Sequence, residues 1–98
     1  MIFLLNRRVQ LNGSEIKMLE VEVYITLKQT VADPQGLTVK HALESLGYKE
    51  VGDVRIGKLI SLRLNVDNRE VAERKLNEMC KKLLANPIIE DYRFEIRG

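Results

Sequence analysis

Residues 19–28, Leu-Glu-Val-Glu-Val-Tyr-Ile-Thr-Leu-Lys, alternate apolar and polar side chains without a break. Few patterns restrict a chain more. Successive side chains on a strand point to opposite faces. Leu19, Val21, Val23, Ile25 and Leu27 therefore share one face, and Glu20, Glu22, Tyr24, Thr26 and Lys28 share the other. A period of two argues for a half-buried strand and against a helix. One face of that strand must be covered, and the rest of the chain must supply the cover.

Asp33-Pro34 opens a first helix, with aspartate as N-cap and proline in the first helical position. Val39, Ala42, Leu43 and Leu46 form its apolar stripe, and Gly47 is a natural left-handed stop, so the helix spans 34–46. Residues 51–66 are the longest extended run. Val54, Ile56, Ile60, Leu62, Leu64 and Val66 keep one phase, with Lys58 the exception. Gly57-Lys58 interrupts the run as a bend in one long strand or as the two-residue turn of a hairpin. The preserved phase of Ile56 and Ile60 favours the long, bent strand. Asp67, with Glu70 three residues on, resembles a capping box and starts a second helix. Ala72, Leu76, Met79 and Leu83 are its stripe, widened by Cys80 and Leu84. Lys81 and Lys82 suit the negative end of its dipole. Pro87 halts it and pushes Asn86 into an extended conformation. A last strand then covers 88–96, with Tyr92, Phe94 and Ile96 on one face.

This β-α-β-α-β order gives an α+β, two-layer sandwich: a small sheet with two amphipathic helices on one face. A chain of 98 residues is expected to hold one domain, over 19–98. A domain of that size buries only about 60–65% of its unfolded surface, so self-association would be a natural supplement. Residues 1–18 do not share the pattern. Their apolar start is too short for a signal-peptide core, and their positive charges follow it. They read as a leader ahead of a natural start at Met18, with an extra strand or arm as the alternative. A net charge of +2, with signs interspersed, argues against a basic nucleic-acid surface. A single cysteine excludes an intrachain disulfide and fits a reducing cytoplasm. No apolar run approaches the ~20 residues that span a membrane.

Reactive groups are sparse. His41 lies off the apolar stripe of the first helix and reads as a solvated side chain. Cys80 reads as a small apolar filler, not a nucleophile. One histidine and one cysteine do not make an ordinary four-ligand zinc site. Gly36, in the first turn after Asp33, is a weak anion-site signal. Arg55 and Lys58 flank Gly57 and suit either a surface bend or a contact with phosphate or an acidic partner. Glu90-Asp91 reads as an exposed acidic pair. No nucleophile, base and oxyanion donor come together, so the residues point to a binding or structural role.

Five blocks carry a resemblance: Val-Tyr-Ile-Thr-Leu-Lys (23–28), Asp-Pro-Gln-Gly (33–36), Ala-Leu-Glu-Ser-Leu-Gly-Tyr (42–48), Val-Gly-Asp-Val-Arg-Ile-Gly-Lys (51–58) and Met-Cys-Lys-Lys-Leu-Leu-Ala-Asn-Pro-Ile-Ile-Glu-Asp-Tyr (79–92). In this order and spacing the chain resembles the small PurS subunits of phosphoribosylformylglycinamidine synthase, over residues 19–96. The resemblance implies a role in purine biosynthesis beside a large synthetase subunit and a glutaminase subunit. That complex converts formylglycinamide ribonucleotide, glutamine and ATP into formylglycinamidine ribonucleotide, glutamate, ADP and phosphate. The small subunit is implied to have no catalytic residues and no independent activity, to form dimers or tetramers, and to assist ammonia delivery. ATP and Mg belong to the complex, and no cofactor is expected on this chain.

Asp33, Pro34, Gln35, Gly36, Arg55, Gly57, Lys58, Asn86 and Pro87 are the candidate partner interface. The face of Glu22, Tyr24 and Thr26, or the edge of the long strand, is expected to meet another copy. Two other readings compete. An ACT-like small-molecule-sensing domain would hold its ligand near Asp33–Gly36. An RNA-binding sandwich would need more outward aromatics than Tyr24.

Overall fold

The computed structural model describes residues 9–11, 14–16 and 18–98, the first two groups by their backbone. Strands β1 (Val9–Leu11) and β2 (Ser14–Ile16) pair antiparallel in a two-stranded sheet of their own. The rest of the leader expected over 1–18, apart from Met18, lies outside the described residues.

The alternating run forms β3 (Leu19–Leu27). It is followed by α1 (Pro34–Ser45), β4 (Gly57–Leu64), α2 (Arg69–Met79), a π-helical turn (Cys80–Leu84) and β5 (Glu90–Arg97). The main sheet has the order β4-β3-β5, all antiparallel, so β3 is the middle strand. Val21 faces Leu62 on one side and Ile96 on the other, and Val23 faces Ile60 and Phe94. These residues continue the apolar face across all three strands. The α+β class and β-α-β-α-β order read from the sequence are those of the structure.

The core is built from one helix. Ala72, Leu76 and Cys80 of α2 and the π-turn are fully buried against Val21, Val23 and Ile25. Their spacing of four residues keeps them on one side of the helix. The Tyr92 hydroxyl donates to Asn77 Oδ1 at 2.7 Å and ties β5 to the helix. The helices share the work unequally. Gly36 is the only buried residue of α1, and no α1 side chain joins the core or the half-buried ring of Ile60, Leu62, Leu64 and Val66 around it.

Three local readings change. The cap of α2 is Asn68, not Asp67: its backbone is extended, and its side chain accepts from the N–H groups of Glu70 and Val71. The helix thus begins one residue later, and Glu70 is too close to its cap for a capping box. Second, the ladder occupies only Gly57–Leu64 of the extended run, as a single strand and not a hairpin. Residues 51–56 lie outside the sheet. Third, Leu83 leaves the apolar stripe and is 82% exposed. The π-turn causes this: the Ala85 N–H reaches back to the Cys80 carbonyl at 2.9 Å, five residues away, and the wider turn rotates Leu83 outward while burying Ala85. The stop expected at Gly47 is present, with φ at +102°.

Leu76 carries the contact between the layers, so Leu76→Ala should cost about 2–5 kcal/mol, as buried leucine truncations do. Urea unfolding followed by circular dichroism measures it. Leu83→Ala, at an exposed position, should stay within about 0.5 kcal/mol of wild type.

Candidate functional site

Strand β3 ends at Leu27, and there the chain must turn while its backbone groups find new partners. Arg55 supplies two of them. Its guanidinium donates to the carbonyl oxygens of Lys28 and Val31, each at 2.9 Å. Asp33 then caps α1 and does more than cap it. One carboxylate oxygen accepts from the Gly36 N–H at 2.8 Å, and the other accepts from the Ile56 N–H at 2.7 Å. One side chain thus fastens the start of α1 to the segment that returns toward β4. The Ile56 amide, one residue before β4, is thus taken by Asp33 and not by a neighbouring strand.

Gly36 sits inside this clamp. A Cβ there would collide with the Val54 carbonyl oxygen and approach Asp33 Oδ2 at 2.9 Å. Its N–H is already spent on Asp33, so the cap explains Gly36 without an anion. Gly57 is required by a similar approach, since a Cβ would lie 2.7 Å from the Ile25 carbonyl oxygen. The hydrogen bonds from Gly36 first and Ile56 second, with a smaller contribution from the Arg55 charge, hold the Asp33 carboxyl below its ordinary range.

Lys28 joins this clamp to the start of β5. Its carbonyl receives Arg55, its N–H donates to the Ile89 carbonyl at 2.8 Å, and its Nζ meets Asp91 Oδ1 at 2.8 Å. Asn86 shapes the adjoining turn, accepting from Ile88 N–H through its side chain and donating its own N–H to Glu90 Oε1 at 2.7 Å. Lys58 Nζ stands 3.7 Å from Glu90 Oε2 and is 60% exposed. The structure therefore gathers Asp33, Pro34, Gln35, Gly36, Arg55, Gly57, Lys58, Asn86 and Pro87 at one end of the main sheet, where Thr26 pairs with Gly57 and Leu27 with Glu90. Asp33, Gly36, Arg55 and Gly57 build that end. Pro34 and Gln35 line an open groove with Thr38, Val39 and Ile56, and Pro87 lines another with Lys28, Lys81 and Tyr92. Lys28 is absent from the sequence-based set. Its signals were its place as the last residue of the alternating run and of the 23–28 block.

The opposite face of the sheet is charged and internally satisfied. Arg97 meets Glu22 at 2.7 Å, Arg93 meets Glu95 at 3.2 Å, and the Arg93 guanidinium lies 3.9 Å from the centre of the Tyr24 ring. Tyr24 is thus covered by a cation instead of presenting a free ring for a base. Cys80 is fully buried, and burial pushes its thiol pKa up, away from nucleophilic thiolate. His41 is exposed on α1. Among the described residues, no group of three histidine, cysteine or acidic side chains converges as a metal site. No helix among them is long and apolar enough to cross a membrane.

A family model described as PurS, phosphoribosylformylglycinamidine (FGAM) synthase, matches residues 20–98. A Bacillus subtilis protein named phosphoribosylformylglycinamidine synthase subunit PurS is 52% identical over 79 residues, 81% of this chain and 93% of that relative. A Methanocaldococcus jannaschii protein of the same name is 40% identical over 79 residues, 81% of this chain and 95% of that relative. Among solved structures, B. subtilis PurS matches with a TM-score of 0.73 at 50% identity, covering 82% of this chain and 99% of that one. A chain in the structure of PurLQS from Thermotoga maritima matches with a TM-score of 0.77 at 27% identity, covering 83% and 99%.

The clamp makes a pH prediction with a definite sign. Because the folded-state pKa of Asp33 is depressed, its stabilisation is full above the unfolded carboxylate value, near pH 4, and is lost as pH falls through the lower folded value. Asp33→Asn keeps one acceptor for Gly36 and loses the second acceptor for Ile56. Hydrogen exchange at the Ile56 amide should be faster in Asp33→Asn than in wild type at pH 6. That difference should shrink once wild-type Asp33 is protonated, as read by exchange rates corrected for intrinsic pH dependence.

Proposed function

The chain belongs to the PurS family, and from that membership we propose that it is the small subunit of a phosphoribosylformylglycinamidine synthase. It serves purine biosynthesis in the cytoplasm as a non-catalytic bridge between a glutaminase subunit and a large synthetase subunit. The assembled complex converts formylglycinamide ribonucleotide, glutamine and ATP into formylglycinamidine ribonucleotide, glutamate, ADP and phosphate, and this chain assists the transfer of ammonia. ATP and Mg bind elsewhere in the complex. The observation that carries this reading is the family match over residues 20–98, supported by the similarity to a chain of PurLQS.

The contact surface for the larger subunits is the end of the sheet where the nine residues meet. Asp33 and Arg55 hold its shape from within, while Lys58, Asn86 and Pro87 present its exposed side. The subunit also self-associates, as a dimer or tetramer, because so small a core leaves apolar surface that a partner copy would cover.

Two measurements test the proposal. The chain should co-purify with the synthetase and glutaminase subunits from the same organism, more strongly with glutamine and Mg-ADP present. Lys58→Glu should then lower glutamine-dependent turnover by about tenfold, the effect of losing an interface contact worth ~1.4 kcal/mol. Turnover with ammonia supplied directly should fall much less. Equal loss with both nitrogen sources would refute a role in ammonia delivery, and normal assembly by Lys58→Glu and Pro87→Ala would refute the surface.

A further inference from the structure

The two most exposed large apolar side chains among the described residues flank one turn. Leu83 is 82% and Ile88 81% exposed, on either side of Ala85-Asn86-Pro87. Neither belongs to the nine residues read from the sequence as a contact surface. The turn between them is tightly bonded. Ala85 is buried, and its N–H is held by the Cys80 carbonyl. Asn86 donates its N–H to Glu90 Oε1, and its side chain accepts from the Ile88 N–H. The Ile89 and Glu90 N–H groups both donate to the Asn86 carbonyl, at 3.1 and 2.7 Å. Pro87 has no N–H, so every backbone donor from Ala85 to Glu90 is engaged locally.

Such a network displays two aliphatic side chains instead of hiding them, and a partner that takes them up orders little new chain. π-turns recur at functional sites. The surroundings are basic. Residues 74–89 carry Arg74, Lys75, Lys81 and Lys82 against Glu78 alone. Lys81 and Lys82 make no ion pair among the described residues. The acids that follow do not neutralise them, because Asp91 is held by Lys28 at 2.8 Å and Glu90 by Lys58 at 3.7 Å.

We propose that Leu83 and Ile88 are paired anchors for one of the larger subunits, and that they enter an apolar pocket whose rim sets carboxylates against Lys81 and Lys82. The proposal rests on the reading of the chain as a synthase subunit and names the side chains that hold the contact. Large side chains seated in desolvated pockets carry most of the affinity of an interface. Opposite charge at the rim speeds encounter and selects the partner. A second copy does not fit this patch, since a twofold contact of the patch with itself would set Lys81 and Lys82 against their own images. A phosphate backbone would use the lysines and leave both aliphatic groups idle.

Binding kinetics of the full chain on each purified larger subunit, alone and together, with glutamine and Mg-ADP present, test this. Leu83→Ala/Ile88→Ala should keep the wild-type circular dichroism and raise the dissociation rate at least about tenfold. Lys81→Glu/Lys82→Glu should instead lower the association rate about tenfold at low salt and little at high salt. Leu59→Ala, at an exposed site on the other face of the sheet, should change neither rate. Light scattering should give wild-type mass for Leu83→Ala/Ile88→Ala. Wild-type dissociation by that variant, wild-type association after charge reversal, or an equal loss in Leu59→Ala would each overturn the anchors. A reduced mass for Leu83→Ala/Ile88→Ala would make the patch a contact between copies. Loss of binding to phosphatidylcholine–phosphatidylserine vesicles, with subunit binding unchanged, would make it a membrane surface. Either result overturns the proposal. If the wild type binds neither larger subunit, the subunit reading fails and the anchors fail with it. If the wild type binds and Leu83→Ala/Ile88→Ala binds as tightly, that reading stands and the anchors alone fail.

Discussion

The fold depends on covering the apolar face of β3. Both edges of this strand are hydrogen-bonded, so Val21, Val23 and Ile25 occupy the middle of the sheet and have nowhere to go but inward. Ala72, Leu76 and Cys80 meet them from one helix, and small residues at two of these three positions let helix and sheet approach closely. Everything else is arranged around that contact. Among the described residues it is the only place where large side chains are buried completely, and α1 takes no part in it.

The reading from sequence succeeded where a single physical requirement governed a stretch. Alternation specified β3 almost to the residue, because one buried and one wet face leave no other arrangement. Asp33, Pro34 and Gly47 specified α1, because capping chemistry is local. The misplaced cap of α2 shows the limit of that logic. Asp67 and Asn68 are adjacent and chemically alike, and only the backbone geometry decides which one accepts from the first turn. The π-turn was illegible for a deeper reason. Met79 and Leu83 fit an ideal helical stripe, and nothing in their identities signals an extra residue in the turn. It shows only in the bond from the Ala85 N–H to the Cys80 carbonyl, five residues back.

The candidate site was legible as a set of residues and not as a mechanism. Asp33, Gly36, Arg55 and Gly57 stood out as polar or flexible residues at turns, and the structure brings them together. What they do there could not be read from spacing. Asp33 spends its second oxygen on an amide 23 residues away, and Arg55 reaches carbonyls 24 and 27 residues away. Such bonds need the fold before they exist. They also change the meaning of the residues: the pair of cations around Gly57 divides into one internal brace, Arg55, and one exposed charge, Lys58.

The strand order β4-β3-β5 places the most apolar strand of the main sheet ahead of both of its neighbours along the chain. During synthesis, at ~5–20 residues per second, β3 waits seconds for β4 and longer for β5. Over that interval both of its edges are open to any other extended chain. The glutamates at positions 20 and 22 then act as gatekeepers, setting negative charges between Leu19, Val21 and Val23 until the proper neighbours arrive.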